Sequence, residues 1–472
     1  MKRSLGYQFK RMMLPGLKRW IVIVLVGIAI IIFGVFLLLG HHPVAVTTEA
    51  IRRALSHATD IVPYTISGLI VLGCGGTIIV VAVYRMIASV LGAYEPNERE
   101  AIPDALYKRR HLESGPRVVV IGGGTGLSTL LRGLKAFTNN ITAVVTVGDD
   151  GGSSGRLREE LGVLPPGDIR NCITALADED KLVTDLFSYR FESGEGLEGH
   201  SFGNLFLTAV CSMTNGDILE AVRVAGRVLN SCGTVLPSTL NSFQLVAELE
   251  DGRVIEGESH IADAGGRIKK LTSLPPDAAA TPEAVEAILD AELIILGPGS
   301  LYTSIVPNLL IPGITDAIKR SKAKRIYVCN VITQAGETTN YSVCDHLDAV
   351  VQHANLKPQE AGKLIDAILV NDREPELPAE APGKPVRLDL DRLADYSVPA
   401  IQSELVSEHT HGHHDPDKLA KSIIFWFTHT KRTKKNNGGS STGGSGGTTL
   451  DISDKNKDAK QPMLEKIASL FF

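Results

Sequence analysis

The stretch "RVVVIGGGTGLSTLLRGL" (residues 117–134) decides the fold. Val118 to Ile121 form a short apolar run without alternation, the pattern of a strand buried on both faces of its sheet. Gly122, Gly123, Gly124 and Gly126 follow at once, and an amphipathic run from Leu127 to Leu134 comes next. Strand, glycine turn and helix in that order make half of a βαβ unit. Glycine lets a ligand approach the backbone closely, and the helix N-terminus favours an anion. Counting from Gly122, the third glycine position of a G-x-G-x-x-G fingerprint is Leu127, and no Gly-Lys-Ser/Thr is present for a P-loop. The expectation is a phosphate-bearing ligand on Gly122, Gly123, Gly124, Thr125 and Gly126, rather than ordinary NAD binding or a merely tight turn.

The same arrangement recurs along the chain. "ITAVVTV" (141–147), "LIILGPGS" (293–300) and "RIYVCNVI" (325–332) are short apolar runs that end at glycine or polar loops. Alternating with helical patterns, they predict an α/β fold with a parallel sheet covered on both faces. The crevice at the carboxyl ends of such strands is where a ligand belongs.

"GDDGGSSGRL" (148–157) follows the second predicted strand, so Asp149 and Asp150 belong at that edge. They lie about 25 residues beyond Gly124, near the spacing at which an acid binds ribose hydroxyls in dinucleotide folds. Two acids also suit a divalent metal such as Mg²⁺ bridging to phosphates, and a solvated turn is the bland alternative. Ser153 and Ser154 extend this candidate wall. In "LPPGDIRNCITALA", Asp168 reads as a helix cap with Arg170 in the first turn. "GHSFGNLFL" places His200, Ser201 and Asn204 around Gly203. "LGPGSLYTSIVPNLL" supplies Gly297, Gly299, Ser300 and Thr303 as a second anion cradle. "CNVITQAGETTNYSVCDHL" adds Asn330, Thr333, Gln334, Glu337 and Asp345 after another strand. "HTHGHHDP" has four histidines but no ligand spacing that suits a metal.

At 472 residues the chain is long enough for more than one domain. A formal net charge of −5 gives no sign of nucleic-acid binding, and six scattered cysteines with no C-x-x-C pair suit a reducing compartment. Residues 20–40 and 61–84 carry no charge and are mostly apolar, and each is long enough, as a helix, to span the ~30 Å hydrocarbon layer. Lys2, Arg3, Lys10, Arg11, Lys18 and Arg19 precede the first run, and Arg85, Arg99, Lys108, Arg109 and Arg110 follow the second. The connecting loop has Arg52 and Arg53, offset by Glu49 and Asp60. By the positive-inside rule, both termini and the main domain face the cytoplasm. The expected organisation is a basic cytosolic N-terminus (1–19), a transmembrane hairpin (20–92), a linker (93–114), a nucleotide-binding domain (115–430), a disordered Gly/Ser linker (431–450) and a C-terminal tail (451–472).

"VVVIGGGTGLSTLLRGLK", "ITAVVTVGDDGGSSGRLREELG", "PPGDIRN", "GHSFGNLFL", "GPGSLYTSIVPNLLIPGI" and "VCNVITQAGET" occur in this order. Together they resemble the gluconeogenesis-factor (YvcK) branch of the CofD-like family over about residues 115–430. The resemblance implies a Rossmann-like α/β domain, often dimeric. For the regulatory branch it implies binding of UDP-sugars, notably UDP-N-acetylglucosamine, and support of cell shape and envelope synthesis during gluconeogenic growth. The enzymatic branch, 2-phospho-L-lactate transferase, implies a nucleotide-diphosphate donor, a deazaflavin acceptor and magnesium. Carried onto this chain, the resemblance implies ligand contacts from both glycine loops, Asp149, Asp150, Asn204 and Asn330. It also implies contacts at His413 and His414, with His413 standing where the family's pattern has a basic residue.

Overall fold

The computed structural model describes residues 110–436, apart from 178–180, 379–380, 382, 408–409 and 411, together with the backbone of 449–451. The expected membrane runs 20–40 and 61–84, nearly all of the 93–114 linker, the Gly/Ser run 437–448 and residues 452–472 lie outside the described residues. Among the described residues no helix is long and apolar enough to cross a membrane.

The sheet grows outward from β1 (Val118–Gly122), all of whose residues are buried. On one side lie β2 (Ile141–Val145) and β3 (Gly233–Pro237). On the other lie β7 (Leu293–Leu296), β8 (Lys324–Val328), β9 (Ala367–Asn371) and β10 (Ala400–Ser403). Every pairing is parallel. Residues 449–451 add a short parallel edge strand, β11, beside β10. Val118 pairs in register with Ile141 on one side and Leu293 on the other. Strand order therefore reverses between β1 and β7, and a reversal opens a crevice because the connections leave the two strands toward opposite faces.

The principal helices are α1 (Gly124–Leu134), α2 (Gly152–Leu161), α3 (Gly167–Leu176), α4 (Lys181–Ser188), α5 (Phe202–Met213) and α6 (Ile218–Val228) in the first half. In the second half come α7 (Glu258–Ala264), α8 (Pro282–Asp290), α9 (Pro312–Arg320), α10 (Val343–His353) and α11 (Pro416–Asn436). Helix α1 starts at the glycines themselves, three residues before the apolar run that predicted it, and buries Leu127, Leu130, Leu131 and Leu134. Helix α11 returns from the end of the domain and packs Leu419, Ala420, Ile423, Ile424 and Phe427 into the same core. It runs past residue 430, so the basic run expected to open the linker continues this helix. Between β3 and β7 the chain inserts a small antiparallel sheet that the sequence reading did not anticipate. Its strands are β4 (Gln244–Leu249), β5 (Val254–Glu256) and β6 (Ile268–Leu274), with β4 in the middle.

Candidate functional site

The loops after β1 and β7 meet at the strand reversal. They pack backbone against backbone: a Cβ on Gly126 would stand 2.8 Å from the Pro298 carbonyl oxygen and 2.9 Å from Gly299 Cα. The two predicted cradles are therefore one structure. Above it opens a cavity of about 650 Å³, lined by Gly123, Gly124, Thr125, Gly126, Gly299, Ser300 and Thr303 among others. A single π turn, Leu301–Ile305, carries Thr303 and Ser304 to its edge. Thr303 does not stand free, because its hydroxyl donates to the buried Glu337 carboxylate at 3.3 Å. Glu337 also accepts from the Tyr302 backbone N–H at 3.1 Å, and burial pushes its carboxyl above the ordinary range. Ser300 Oγ accepts from Gln334 Nε2 at 2.7 Å, and Asn330 Nδ2 donates to Gln334 Oε1 at 3.3 Å. These bonds hold the loop after β8 against the loop after β7.

The acids divide. Asp149 lines the cavity, with its Oδ1 accepting from the Gly151 N–H at 3.0 Å. Asp150 turns the other way. Its two oxygens accept from the N–H groups of Glu258 and Ser259, both at 2.9 Å, and so satisfy two orphan donors at the start of α7. Its expected role at the ligand is replaced by that of a long-range helix cap. Asp150→Ala should lower stability by about 1 kcal/mol, read from the urea midpoint.

Ser153 and Asn204 also stand behind the wall. Asn204 Nδ2 donates to Ser153 Oγ at 3.0 Å, and Ser153 Oγ shares a hydrogen with His200 Nδ1 at 2.9 Å, all within a buried knot. Ser154 is buried beneath Gly167. Gly122 and Gly297 lie below the cavity floor rather than on its lining. Asn330, His413 and His414 do line it. His413 is exposed. The ring of His414 hydrogen-bonds the Cys329 backbone, and burial pulls its pKa down to about 4. Its Nε2 has no partner among the described residues.

Thr146, Asp168 and Glu258 line the cavity although the sequence reading offered none of them as a ligand contact. Thr146 continues β2, and its buried hydroxyl has no partner among the described residues. Asp168 makes no cap bond to its own helix. It leans on the first glycine loop instead, accepting a backbone hydrogen bond from Gly124. Burial, then the charge of Asp149, raises its pKa to about 7. Glu258 arrives from the inserted sheet, and burial, then Asp149 and Asp150, raises its pKa to about 8. No periodicity or motif near residue 258 marks it.

The lining thus holds three carboxylates and two histidines, with no Lys or Arg among the described residues. An anionic ligand would rest on backbone N–H groups, hydroxyls and imidazole. No three His, Cys, Asp or Glu side chains among the described residues are grouped to hold a metal ion. Magnesium fits here only as an ion that takes one or two of these carboxylates and completes its shell with ligand phosphates and water.

A family model described as 2-phospho-L-lactate transferase CofD matches residues 118–406. A Nostoc sp. protein is 47% identical over 429 residues, covering 89% of this chain and 93% of that one. The Bacillus subtilis protein named gluconeogenesis factor is 46% identical over 317 residues, or 66% of this chain and 97% of its own length. Among solved structures, protein BH3568 of Bacillus halodurans superposes with a TM-score of 0.62 at 44% identity, covering 66% of this chain and 99% of that one.

Proposed function

The chain belongs to the CofD family, and on that premise we propose that it is a nucleotide-sugar-binding regulator of the gluconeogenesis-factor type, with UDP-N-acetylglucosamine as its ligand. The observation that carries this reading is the joining of two glycine loops at the strand reversal, below a cavity of about 650 Å³. That volume lies within the ordinary range of small-molecule sites. The diphosphate would lie on Gly123–Gly126 and Gly299–Ser300, with His413 and His414 beside it. Asp149 would face ribose or sugar hydroxyls, directly or through Mg²⁺. Residues 20–40 and 61–84 would anchor the protein in the cell membrane with this domain in the cytoplasm. As a homodimer it would link the nucleotide-sugar pool to envelope synthesis, cell shape and gluconeogenic carbon flux.

Titration of the purified chain with UDP-N-acetylglucosamine, GDP and GTP, with and without Mg²⁺, tests the reading. The expected result is a preference for the uridine nucleotide. Asp149→Ala should lose it about tenfold or more, while Asp150→Ala, which removes the α7 cap and one charge acting on Glu258 but no lining side chain, should keep most of it. Binding without uridine preference would sink the proposal.

One observation favours a second reading. Asp168 and Glu258, with pKa values near neutrality, are the kind of groups that carry protons in catalysis. A transferase acting on a nucleotide-diphosphate donor and a deazaflavin acceptor would use them. Turnover of a guanosine diphospho-lactate donor with a deazaflavin would establish it.

A further inference from the structure

Outside the crevice, three arginines from three elements meet one loop. Arg156 of α2 donates from Nη2 to the Glu198 carbonyl at 2.7 Å. Arg190, just after α4, donates from Nη1 to the Gly199 carbonyl and pairs its backbone with Ser201. Arg170 of α3 lays its aliphatic stem against Gly203, where a Cβ would stand 2.7 Å from Cδ. None of the three lines the crevice.

What sets the group apart is what it lacks. Among the described residues none of the three forms an ion pair with a carboxylate. Half-buried Arg170 has a fully enclosed Nε with no partner among the described residues, and no hydrogen bond of its guanidinium to any of them is found. The acids within reach do not neutralise it. Glu192, Glu195 and Glu198 of the same loop are exposed to solvent. Glu160 acts on His200, and Asp168, on the crevice wall, acts on Arg170 only through space, more weakly than burial and Arg190 and without an ion pair. The charges consequently act on one another. Arg170 is held below its ordinary range by burial and then by Arg190, and His200 by burial and then by Arg156.

Leaving a half-buried guanidinium without a hydrogen-bond acceptor, beside two like charges, is costly. A chain with a net charge of −5 has many acids with which such a cluster could be neutralised. An exposed arginine needs no partner, since water serves it, but Arg170 is not in that position. Guanidinium groups present forked N–H pairs that match oxyanions. Three of them around one loop match a tetrahedral anion of more than one negative charge better than a single carboxylate.

We propose that Arg156, Arg170 and Arg190, gathered by the 198–203 turn, form a second anion site that takes a phosphate-class oxyanion. The site is separate from the nucleotide crevice and does not depend on the ligand proposed there. Such an anion comes either from a free phosphate compound or from a lipid headgroup.

Isothermal titration of the full chain with inorganic phosphate and, separately, with water-soluble dibutanoyl phosphatidic acid tests the site and distinguishes its source. Tighter binding of the short-chain lipid assigns it to a headgroup, and tighter binding of phosphate to a free anion. In the Arg156→Gln/Arg190→Gln double variant, the component assigned to this site should weaken about tenfold or more. Binding on the glycine loops of the crevice is common to both proteins and subtracts. Arg156→Lys/Arg190→Lys keeps the charge but not the forked donors, so its affinity should fall between those of the wild type and the glutamine variant. Hydrogen exchange on the unaltered chain gives a readout that needs no variant: the amides of residues 198–203 should gain protection when phosphate is added. Identical isotherms for wild type and the glutamine variant, or no added protection of the 198–203 turn, would overturn the proposal.

Discussion

Gly126→Val is expected to weaken the proposed nucleotide-sugar binding by about a hundredfold or more, while the protein still folds. The backbone of Gly126 tolerates a side chain, since its φ is not among the positive values. The obstacle is the loop after β7. A Cβ would meet the Pro298 carbonyl oxygen, Gly299 N and Gly299 Cα, all within 2.9 Å. These are backbone atoms, which cannot rotate away as a side chain would, so the two glycine loops must separate. Overpacking of this kind costs about 1–3 kcal/mol of stability. The loss of function should be larger than that, because separating the loops removes the shared surface on which the diphosphate is proposed to rest. Calorimetric titration and a urea midpoint measured together check both parts. Near-native affinity in a folded variant would mean that the ligand does not use this junction.

Asp168→Asn should make the ligand-free protein more stable at pH 8, by on the order of 2 kcal/mol or more. The sign follows from the direction of the shift. The folded state raises the Asp168 pKa from an ordinary 3.8 to about 7, so the unfolded chain gives up this proton more readily. Ionisation therefore penalises the fold. The penalty is absent below the unfolded pKa, grows between about pH 4 and 7, and is complete above. Asparagine keeps an oxygen to accept from Gly124 and carries no charge. The gain should shrink as pH falls and vanish near pH 4. Denaturant midpoints at pH 4, 6 and 8 check this. A gain independent of pH would point to packing rather than charge. The same variant separates the two functional readings, since a proton carrier is indispensable to a transferase and dispensable to a binding regulator.

Much of the fold was legible because a parallel sheet writes itself locally. Val118 to Ile121 and Leu293 to Leu296 are buried on both faces, so each strand is continuously apolar and ends sharply at its glycine loop. The inserted sheet was not legible. Its strands are antiparallel and half exposed, as in the alternating burial of β4 and most of β6, so they lack the continuous apolar runs that mark the parallel sheet. Glu258 went unnoticed for that reason, since nothing in its own neighbourhood distinguishes it from a surface acid.

The α/β class, the glycine loops after the first and third predicted strands, and the family could all be read from the sequence. These depend on local patterns: apolar runs, glycine punctuation and motif order. Which residues face the crevice depends instead on how distant segments pack. Asp149 and Asp150 are adjacent, yet one lines the cavity and the other caps a helix 108 residues away in the chain. Asp168 and Glu258, which no local pattern marked as ligand contacts, join Asp149 at the wall. Side-chain direction and burial are set by packing between distant segments, and so are the charges that move a carboxyl's pKa. None of these has a signature in the neighbouring sequence.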